Sequence, residues 1–560
     1  MEANRGPRVF RAIAAVIAVF SVGSLAYWLA VWMVAGRDGF PLDDAFIHLQ
    51  FARNLFDTGE MAFNAGTPSS GCTAPGFAAI VALSRAIVPN WMLASFLVTT
   101  LASLGTALLV FAAIARWTRD IDVARWAGVV VAVACPTVIQ AFSGMEAAVY
   151  SFLCLAGIFA YGAGGRGMRL LGATILATCI WFRPEFLVGC PLLCVEWLVR
   201  RANRSEDEAR ATPGELAMLL AIWIAMTALY VGYHYRLDGH FVPTTFAAKA
   251  VAHFALRPQW LEGVPAIVRH GAWEYLPLAL VVLPIVNMLL MGVGVFTVCA
   301  PLAFGLEAAM KRLWRVESAS GAGWRLATLM LFGYPLARSL VEPAGTLWYQ
   351  GQRYFAHLTP LFVLIVFGAW PLTRSLVAGS RWDWRRRSLA SQARRAVAWA
   401  AGASTLMGAV AVFSVKNIND VQVETAHWLR EHSNENDVIA ANDIGAVGFL
   451  SHRRVLDTVG LIEPAITEHF LQGGRLAEYL AHRSPRYVVI FPEWYPDFSR
   501  IETGLQKRIG FTTSPNFVCG GAELVVFEPQ WPIIQAILAR TSPARRSVAS
   551  EGVSHAQSLP

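Results

Sequence analysis

The chain has 560 residues, of which 56% are hydrophobic and 15% charged, and its mean hydropathy is +0.47. An ordinary soluble domain carries about 25% charged residues, so this composition excludes a soluble enzyme, a disordered hub and a small disulfide-stabilised domain. The formal net charge of +8 does not indicate nucleic-acid binding, because the basic residues lie in short segments between apolar runs. Such a distribution is the orientation signal of a membrane protein.

Apolar runs follow one another along the first 415 residues. The first, Ala12–Ala35, is longer than the core of a signal peptide and carries Trp28 and Trp32, which favours an uncleaved span. The runs at 170–182 and 186–199 are short for a bilayer, which needs about 20 residues, and are interpreted as tilted helices or a buried re-entrant pair. The sequence predicts about eleven transmembrane helices, near residues 12–35, 91–115, 124–143, 145–163, 170–182, 186–199, 215–233, 276–304, 325–341, 354–372 and 396–415.

Basic residues are concentrated in every second connection between these runs. Arg5, Arg8 and Arg11 precede the first run, and further arginines are dense in the connections that would lie on the same side. The positive-inside rule therefore predicts that the N-terminus is inside and the C-terminus outside. The run at 76–88, which contains Arg85, is interpreted as a helix that lies in the outer interface.

The texture of the sequence changes after Lys416. A helical run, Val421–His432, is followed by short β-rich runs and further helical stretches, which is typical of a small α/β domain. An odd number of spans places this domain outside, together with the outer loops 37–90 and 234–275. The β-rich runs are Val438–Ala441, Arg454–Leu456, Tyr487–Phe491 and Leu524–Phe527. The predicted units are a membrane domain, an extracytoplasmic domain and a disordered tail, at 1–415, 416–535 and 536–560.

Two adjacent carboxylates, Asp43 and Asp44, follow the first span at the membrane surface. Neighbouring acids repel each other, so the pKa of one of them should rise, which suits a general base. The alternative is a helix N-cap, because one of the two would start the amphipathic stretch Ala45–Leu55. The two interpretations are compatible.

Further charged residues lie at the outer ends of other apolar runs. Glu146 and the pair Arg183 and Glu185 stand at hairpin tips, Arg353 precedes a span, and Lys249 lies in the loop after the seventh run. Charges placed so tightly between apolar runs are costly unless they are paired or functional, and an Arg–Glu pair that holds the hairpins together is the alternative. Because these charges from distant loops face one side, the sequence predicts a single outward-facing site near the lipid surface.

The first outer loop resembles the opening of the polytopic GT-C glycosyltransferases. Within that superfamily the chain is similar to the arabinofuranosyltransferases of actinobacterial cell walls, in particular those that add terminal β-1,2 residues. The likeness runs from about residue 40 to residue 465. It is carried by Asp43–Ile47, Ala52–Leu55, Phe63–Gly66, Gly71–Pro75, Ser143–Glu146, Arg183–Glu185, Val242–Lys249, Gln352–Tyr354, Asn442–Phe449 and Val455–Leu461.

The resemblance implies a GT-C membrane fold and an inverting transfer of a sugar, arabinofuranose in the group just named, from a polyprenyl-phosphate donor to a glycan, lipid or protein acceptor. It implies that Asp43 or Asp44 takes the acceptor proton, with Asp43 slightly favoured. No nucleotide is required, and the use of a divalent metal ion differs among GT-C enzymes. The residues expected to bind the donor phosphate are Arg183, Lys249 and Arg353, and those expected to bind substrate are His48, Glu146, Glu185, Tyr354 and Asp443.

The sequence departs from the family pattern at two places that the resemblance implies would bind the donor or the acceptor. His48 stands where a small hydroxyl residue is common, and the run 70–75 is looser than usual. The alternative functions are a transporter or flippase for a lipid-linked sugar, which predicts charges deep inside spans and an internal repeat, and a scaffold whose outer domain binds a partner. Against the transporter, the charges lie at the outer ends of the spans and no repeat is visible, and the scaffold does not account for the acidic first loop. The resemblance places the protein in the inner membrane of a bacterium, with its active site on the outer face.

Overall fold

The computed structural model describes residues 5–202, 211–246, 248, 320–341, 353, 356–368, 389–501 and 503–541. Within these residues the membrane domain is helical and the C-terminal domain is built on a five-stranded sheet, as predicted. The predicted span at 276–304, the candidate residues Lys249 and Tyr354, and the tail beyond Thr541 lie outside the described residues.

The membrane domain is a bundle of apolar helices. In the described part of the chain, four helices are long and apolar enough to cross a bilayer alone, namely Gly6–Ala35, Trp91–Thr118, Pro213–Asp238 and Ala393–His432. Shorter helices pack between them, so the total of eleven spans stays a prediction. The helices are α1 (Arg5–Ala35), α2 (Asp44–Thr58), α3 (Pro75–Arg85), α4 (Trp91–Thr118), α5 (Ile121–Val133), α6 (Cys135–Ala141), α7 (Ala147–Tyr161), α8 (Arg166–Thr178), α9 (Gly189–Ala202), α10 (Pro213–Asp238), α11 (Ser320–Val341), α12 (Leu358–Gly368) and α13 (Leu389–Ile418).

One predicted span, 124–143, is broken into two helices. α5 ends at Val133, Ala134 is extended, and α6 begins at Cys135. Pro136 has no N–H to donate to the preceding turn, so an unbroken helix through this point would lose a hydrogen bond and meet the proline ring. The break bends the chain just before the loop that carries Glu146.

The two short predicted spans form a helical hairpin. α8 and α9 are joined by two 3₁₀ turns, Cys179–Trp181 and Pro184–Val188, which add length at the outer tip. Arg183 is the extended residue between these turns. The hairpin therefore places Arg183 and Glu185 together at one end of the bundle.

Buried charges tie four helices together at one end of the bundle. Arg169 of α8 and Arg200 of α9 donate to Glu215 of α10 from 2.7 and 2.8 Å. Arg325 of α11 donates to Glu196 of α9 from 2.9 Å, and all five residues are at most 5% exposed. Since α8, α10 and α11 begin and α9 ends at this network, their opposite ends lie together on the other face of the bundle.

The last membrane helix does not stop where the C-terminal domain was predicted to begin. Residues 393–432 are one continuous helix, in which α13 passes through a π-helical turn, Asn419–Val423, into α14 (Glu424–His432). The change in sequence pattern after Lys416, from long apolar runs to shorter mixed runs, therefore reflects a change in what the helix packs against. Its upper part lies against the C-terminal sheet, where Leu429 is buried.

The C-terminal domain has a mixed sheet with strand order β4-β3-β5-β7-β6. Ile439 in the central strand β3 lies opposite Val455 in β4 and Tyr487 in β5, both parallel, and β7 and β6 extend the sheet antiparallel. The elements are β3 (Val438–Ala441), α15 (Gly445–Ser451), β4 (Arg454–Asp457), α16 (Pro464–Leu471), α17 (Leu476–Ala481), β5 (Tyr487–Ile490), α18 (Pro496–Ser499), β6 (Leu505–Phe511), β7 (Leu524–Pro529) and α19 (Trp531–Thr541); a small hairpin, β1 (Ala62–Asn64) and β2 (Thr67–Pro68), belongs to the first outer loop.

The structure confirms all four predicted strands and adds β6. Gln506, Lys507 and Arg508 are exposed on that edge strand, so its sequence lacks the apolar alternation by which strands are found. Residues 536–541 of the predicted tail are helical, because α19 continues to Thr541. Ile534 packs into the core of the domain and holds this helix in place.

Candidate active site

Asp44 is the first residue of α2, at the end of the bundle that carries the tip of the α8–α9 hairpin. Arg353 donates from Nη1 to Asp44 Oδ2 at 2.7 Å. The Asp44 side chain is 36% exposed, whereas that of Arg353 is only 6% exposed. The pair therefore combines a carboxylate that solvent can reach with a cation that is buried behind it.

Asp43 occupies the N-cap position of α2 but makes no capping hydrogen bond, so the capping interpretation is wrong for this side chain. Its Oδ2 accepts the N–H of Gly445 at 2.7 Å, and its Oδ1 accepts the N–H of Ala446 at 2.8 Å. Both amides belong to the first turn of α15 in the C-terminal domain. Thus two neighbouring acids of one loop contact different partners.

Asp443 of the C-terminal domain lies beside this acid pair. Gln422 donates to its Oδ2 at 2.8 Å. Burial raises the pKa of Asp443 to about 6, and the charge of Asp44 acts in the same direction. Burial also raises the pKa of Asp43, helped by the charge of Asp443 and opposed by the two backbone amides. The site is therefore formed jointly by the first outer loop and the C-terminal domain.

A buried ion cluster lies behind the acids. Glu146, at the start of α7, contacts Arg183 with one oxygen, and His48 Nε2 lies 3.1 Å from the other. All three residues are at most 5% exposed. Arg183 also lies 3.8 Å from Glu185, and Arg353 is close enough to interact with the charge of Glu146. The expected Arg–Glu pair is thus present, and it links the hairpin tips to α2.

His48 and Asp44 are one helical turn apart on α2, so they lie on the same face of that helix. His48 reaches Glu146 from this face and packs edge-on against Phe77 of α3, with ring centroids 5.4 Å apart. A small hydroxyl residue at position 48 would leave Glu146 without this contact.

Two buried residues of the site were missed by sequence reasoning. Gln422 lies in a helical run without a motif, and its role depends on the fold. His357 packs edge-on between Tyr150 and Tyr334, with centroids 4.7 and 4.3 Å away, and neither of its ring nitrogens has a hydrogen-bond partner among the described residues. The sequence indicates His357 only by its position, four residues after Arg353.

The last residue of α10 and the segment that follows it contact the first loop and the C-terminal domain. Asp238 accepts the N–H of Ser70 at 2.7 Å, and Thr244 donates to the carbonyl of Leu461 at 2.6 Å. Lys249, further along this segment, lies outside the described residues. Among the described residues, no group of three His, Cys, Asp or Glu side chains has an arrangement that could hold a metal ion.

The comparisons with known proteins concern one domain and the fold. Residues 416–551 match the model of a domain family of unknown function, DUF8728. A comparison with curated proteins gives no match.

Solved structures of similar fold are found at 12% sequence identity. ArnT from Cupriavidus metallidurans has a TM-score of 0.57 in the apo state, over 92% of this chain and 98% of that one, and 0.57 when bound to undecaprenyl phosphate, over 91% and 97%. The oligosaccharyltransferase of Archaeoglobus fulgidus in complex with Zn and sulfate has a TM-score of 0.51, over 85% and 68%. These likenesses confirm the predicted GT-C membrane fold with a small C-terminal sheet domain.

Proposed function

We propose that the protein is a membrane glycosyltransferase that moves a sugar from a polyprenyl-phosphate donor to a hydroxyl group of a glycan, lipid or protein acceptor at the outer face of the inner membrane. The observation that carries the proposal is the partly exposed Asp44 carboxylate on the buried Arg353 guanidinium. Asp44 would serve as the base for the acceptor hydroxyl, and Arg353, in direct contact with it, as the cation for the donor phosphate. Two neighbours in fold support it: one binds undecaprenyl phosphate and another is an oligosaccharyltransferase.

Asp44 is the base in this proposal, and it differs from the slight preference for Asp43 that the resemblance gave. The acceptor oxygen attacks the anomeric carbon from the side opposite the phosphate, and its proton passes to Asp44. The bond between the anomeric carbon and the phosphate oxygen breaks, and the lipid phosphate leaves as an anion. The product has the inverted anomeric configuration.

The cations of the site receive the leaving phosphate. A guanidinium matches phosphate geometry with paired N–H donors and keeps its charge at any working pH. Arg353 is the first candidate because it stands beside the base, with Arg183 behind it on Glu146. Lys249 is proposed as a third cation, and Glu185, His48, Tyr354 and Asp443 as the groups that bind the sugar and the acceptor.

The sugar proposed for the donor is arabinofuranose, and this choice depends only on the first-loop resemblance. A panel of polyprenyl-phosphate donors that carry arabinofuranose, other pentoses or hexoses tests it directly. Transfer from the arabinofuranose donor at a rate at least tenfold above the others is the expected result. Equal or faster transfer of another sugar would replace the assignment but leave the reaction class intact.

The reaction class is tested with the full-length protein in lipid vesicles, a donor labelled in the sugar, and glycan, lipid and peptide acceptors in parallel. The wild type should form a new glycosidic bond, and Asp44→Asn should reduce turnover by about 10²–10⁴, the usual loss for a general base. Asp57→Asn is the matched control, because Asp57 is an exposed acid of the same helix. Label that crosses the bilayer without bond formation would instead indicate a flippase.

A further inference from the structure

The two adjacent acids of the first loop have different partners: Asp43 contacts the C-terminal domain, and Asp44 contacts Arg353. We propose that Asp43 is a latch: it fastens the C-terminal domain to the first outer loop, so that Asp443 faces the Asp44–Arg353 pair, and it takes no proton from the acceptor. The docking role depends only on the contacts of Asp43 with α15, whereas its exclusion as the base rests on the proposed function.

Both carboxylate oxygens of Asp43 are already used. They accept the N–H groups of Gly445 and Ala446 at 2.7 and 2.8 Å. Amides of a first helical turn have no partner inside their own helix, and a negative charge is favourable at this end of a helix. A general base must point an oxygen at the acceptor hydroxyl, and Asp43 points both of its oxygens at α15.

The approach of the two domains at this point is closer than a side chain permits. A Cβ added to Gly445 would lie 2.1 Å from the backbone oxygen of Asp43 and 2.6 Å from its carboxylate. Contacts under 3.0 Å with backbone atoms require a shift of the chain. Glycine at position 445 is therefore part of the latch, because it lets the start of α15 reach Asp43.

Further contacts of the first loop hold the same region of the C-terminal domain. Arg53 donates to the carbonyl of Phe449, near the end of α15, at 2.9 Å. Asn64 exchanges two hydrogen bonds with the backbone of Val455, at 2.8 and 2.9 Å. Loss of Asp43 should therefore loosen the docked domain without releasing it, and an Asp43 variant should remain folded.

The exposed rim of this contact offers a covalent replacement for the latch. Arg454 donates to Thr67 Oγ1 at 3.3 Å, and both residues are exposed. Cysteines at these two positions can be joined by a short bifunctional thiol reagent. In an otherwise unchanged chain, bridging Thr67→Cys to Arg454→Cys should leave transfer within about twofold of the unbridged protein.

The decisive comparison puts Asp43→Asn and Asp44→Asn separately into this bridgeable background. An asparagine side chain in place of Asp43 accepts one of the two N–H groups but turns its own amide toward the other. Asp43→Asn should therefore lower transfer at least tenfold, and bridging should restore most of it. Asp44→Asn should stay inactive whether bridged or not. Gly445→Ala should resemble Asp43→Asn, although the Asp43 carboxylate is then intact.

Several results would overturn the latch. If bridged Asp43→Asn remained as inactive as Asp44→Asn, Asp43 would be the base. If unbridged Asp43→Asn kept full turnover and wild-type resistance to proteolysis, it would fasten nothing. Should the wild type transfer no sugar, the proposed function fails, but docking is still measured by limited proteolysis. Faster cleavage in the C-terminal domain for Asp43→Asn, and not for Asp44→Asn, then supports the latch, and equal cleavage refutes it.

Discussion

A double-mutant cycle on Asp44 and Arg353 separates two roles that Arg353 can have. The guanidinium contacts the Asp44 carboxylate at 2.7 Å, and it is also the cation nearest to the proposed base in the described site. It can act through Asp44, by holding the base in place, or directly on the lipid phosphate. We expect both, and the two contributions affect different kinetic parameters.

The magnitudes follow from burial and from the type of bond. A hydrogen bond to a charged group contributes about 1.5–3 kcal/mol, so loss of the phosphate contact in Arg353→Ala should raise the donor KM by about 10- to 150-fold. Loss of the ion pair should cost little stability, because Asp44 is 36% exposed and the buried Arg353 keeps the charge of Glu146 as a second partner. Asp44→Asn should therefore fold normally while its turnover falls.

The assay measures kcat and donor KM for the wild type, each single variant and the double variant. The fall in kcat should be non-additive, because Arg353→Ala has no base left to misplace once Asp44 is gone. The rise in donor KM should be equal in both backgrounds. Arg37→Ala is the matched control, a 40% exposed outer-loop arginine that pairs with Glu424. An unchanged donor KM in Arg353→Ala, or additive losses in kcat, would refute the respective role.

Three further predictions concern the buried ion network around Glu215, the orientation of the chain in the membrane, and the pH dependence of domain docking. Glu215→Gln should destabilise the bundle by about 3–5 kcal/mol, because it leaves buried arginine charge uncompensated; thermal unfolding in detergent measures this, and an unchanged midpoint would contradict it. Reporter fusions after Arg387 and after Lys416 should report opposite sides of the membrane; the same side for both would refute the orientation. Docked Asp443 holds a proton that an exposed acid releases, since its pKa rises from 3.8 to about 6; docking should weaken as the pH rises from 4 to 6, and Asp443→Asn should flatten that dependence in limited proteolysis.

Local patterns were sufficient for most of the fold. Four strands of the C-terminal sheet are confirmed because each is a short apolar run in a polar segment, and the main spans are long apolar runs. The exceptions have local physical causes. Pro136 divides one predicted span into two helices. The edge strand β6 carries three consecutive exposed polar residues, so it lacks the apolar alternation that indicates a strand. The helix across Lys416 continues because a change of neighbours does not require a break in the backbone.

The candidate site shows where local patterns stop being informative. Adjacent residues at the start of a helix do not face each other, whereas residues four apart share a face, so Asp43 and Asp44 must have different surroundings while Asp44 and His48 share one. That much is contained in the sequence of α2. The partner that receives Asp43 is a helix that begins at Gly445, about 400 residues later, and nothing in the first loop specifies it. The proposed difference in role between the two acids therefore depends on the docked domains, and a variant that separates the domains without changing either acid should abolish it.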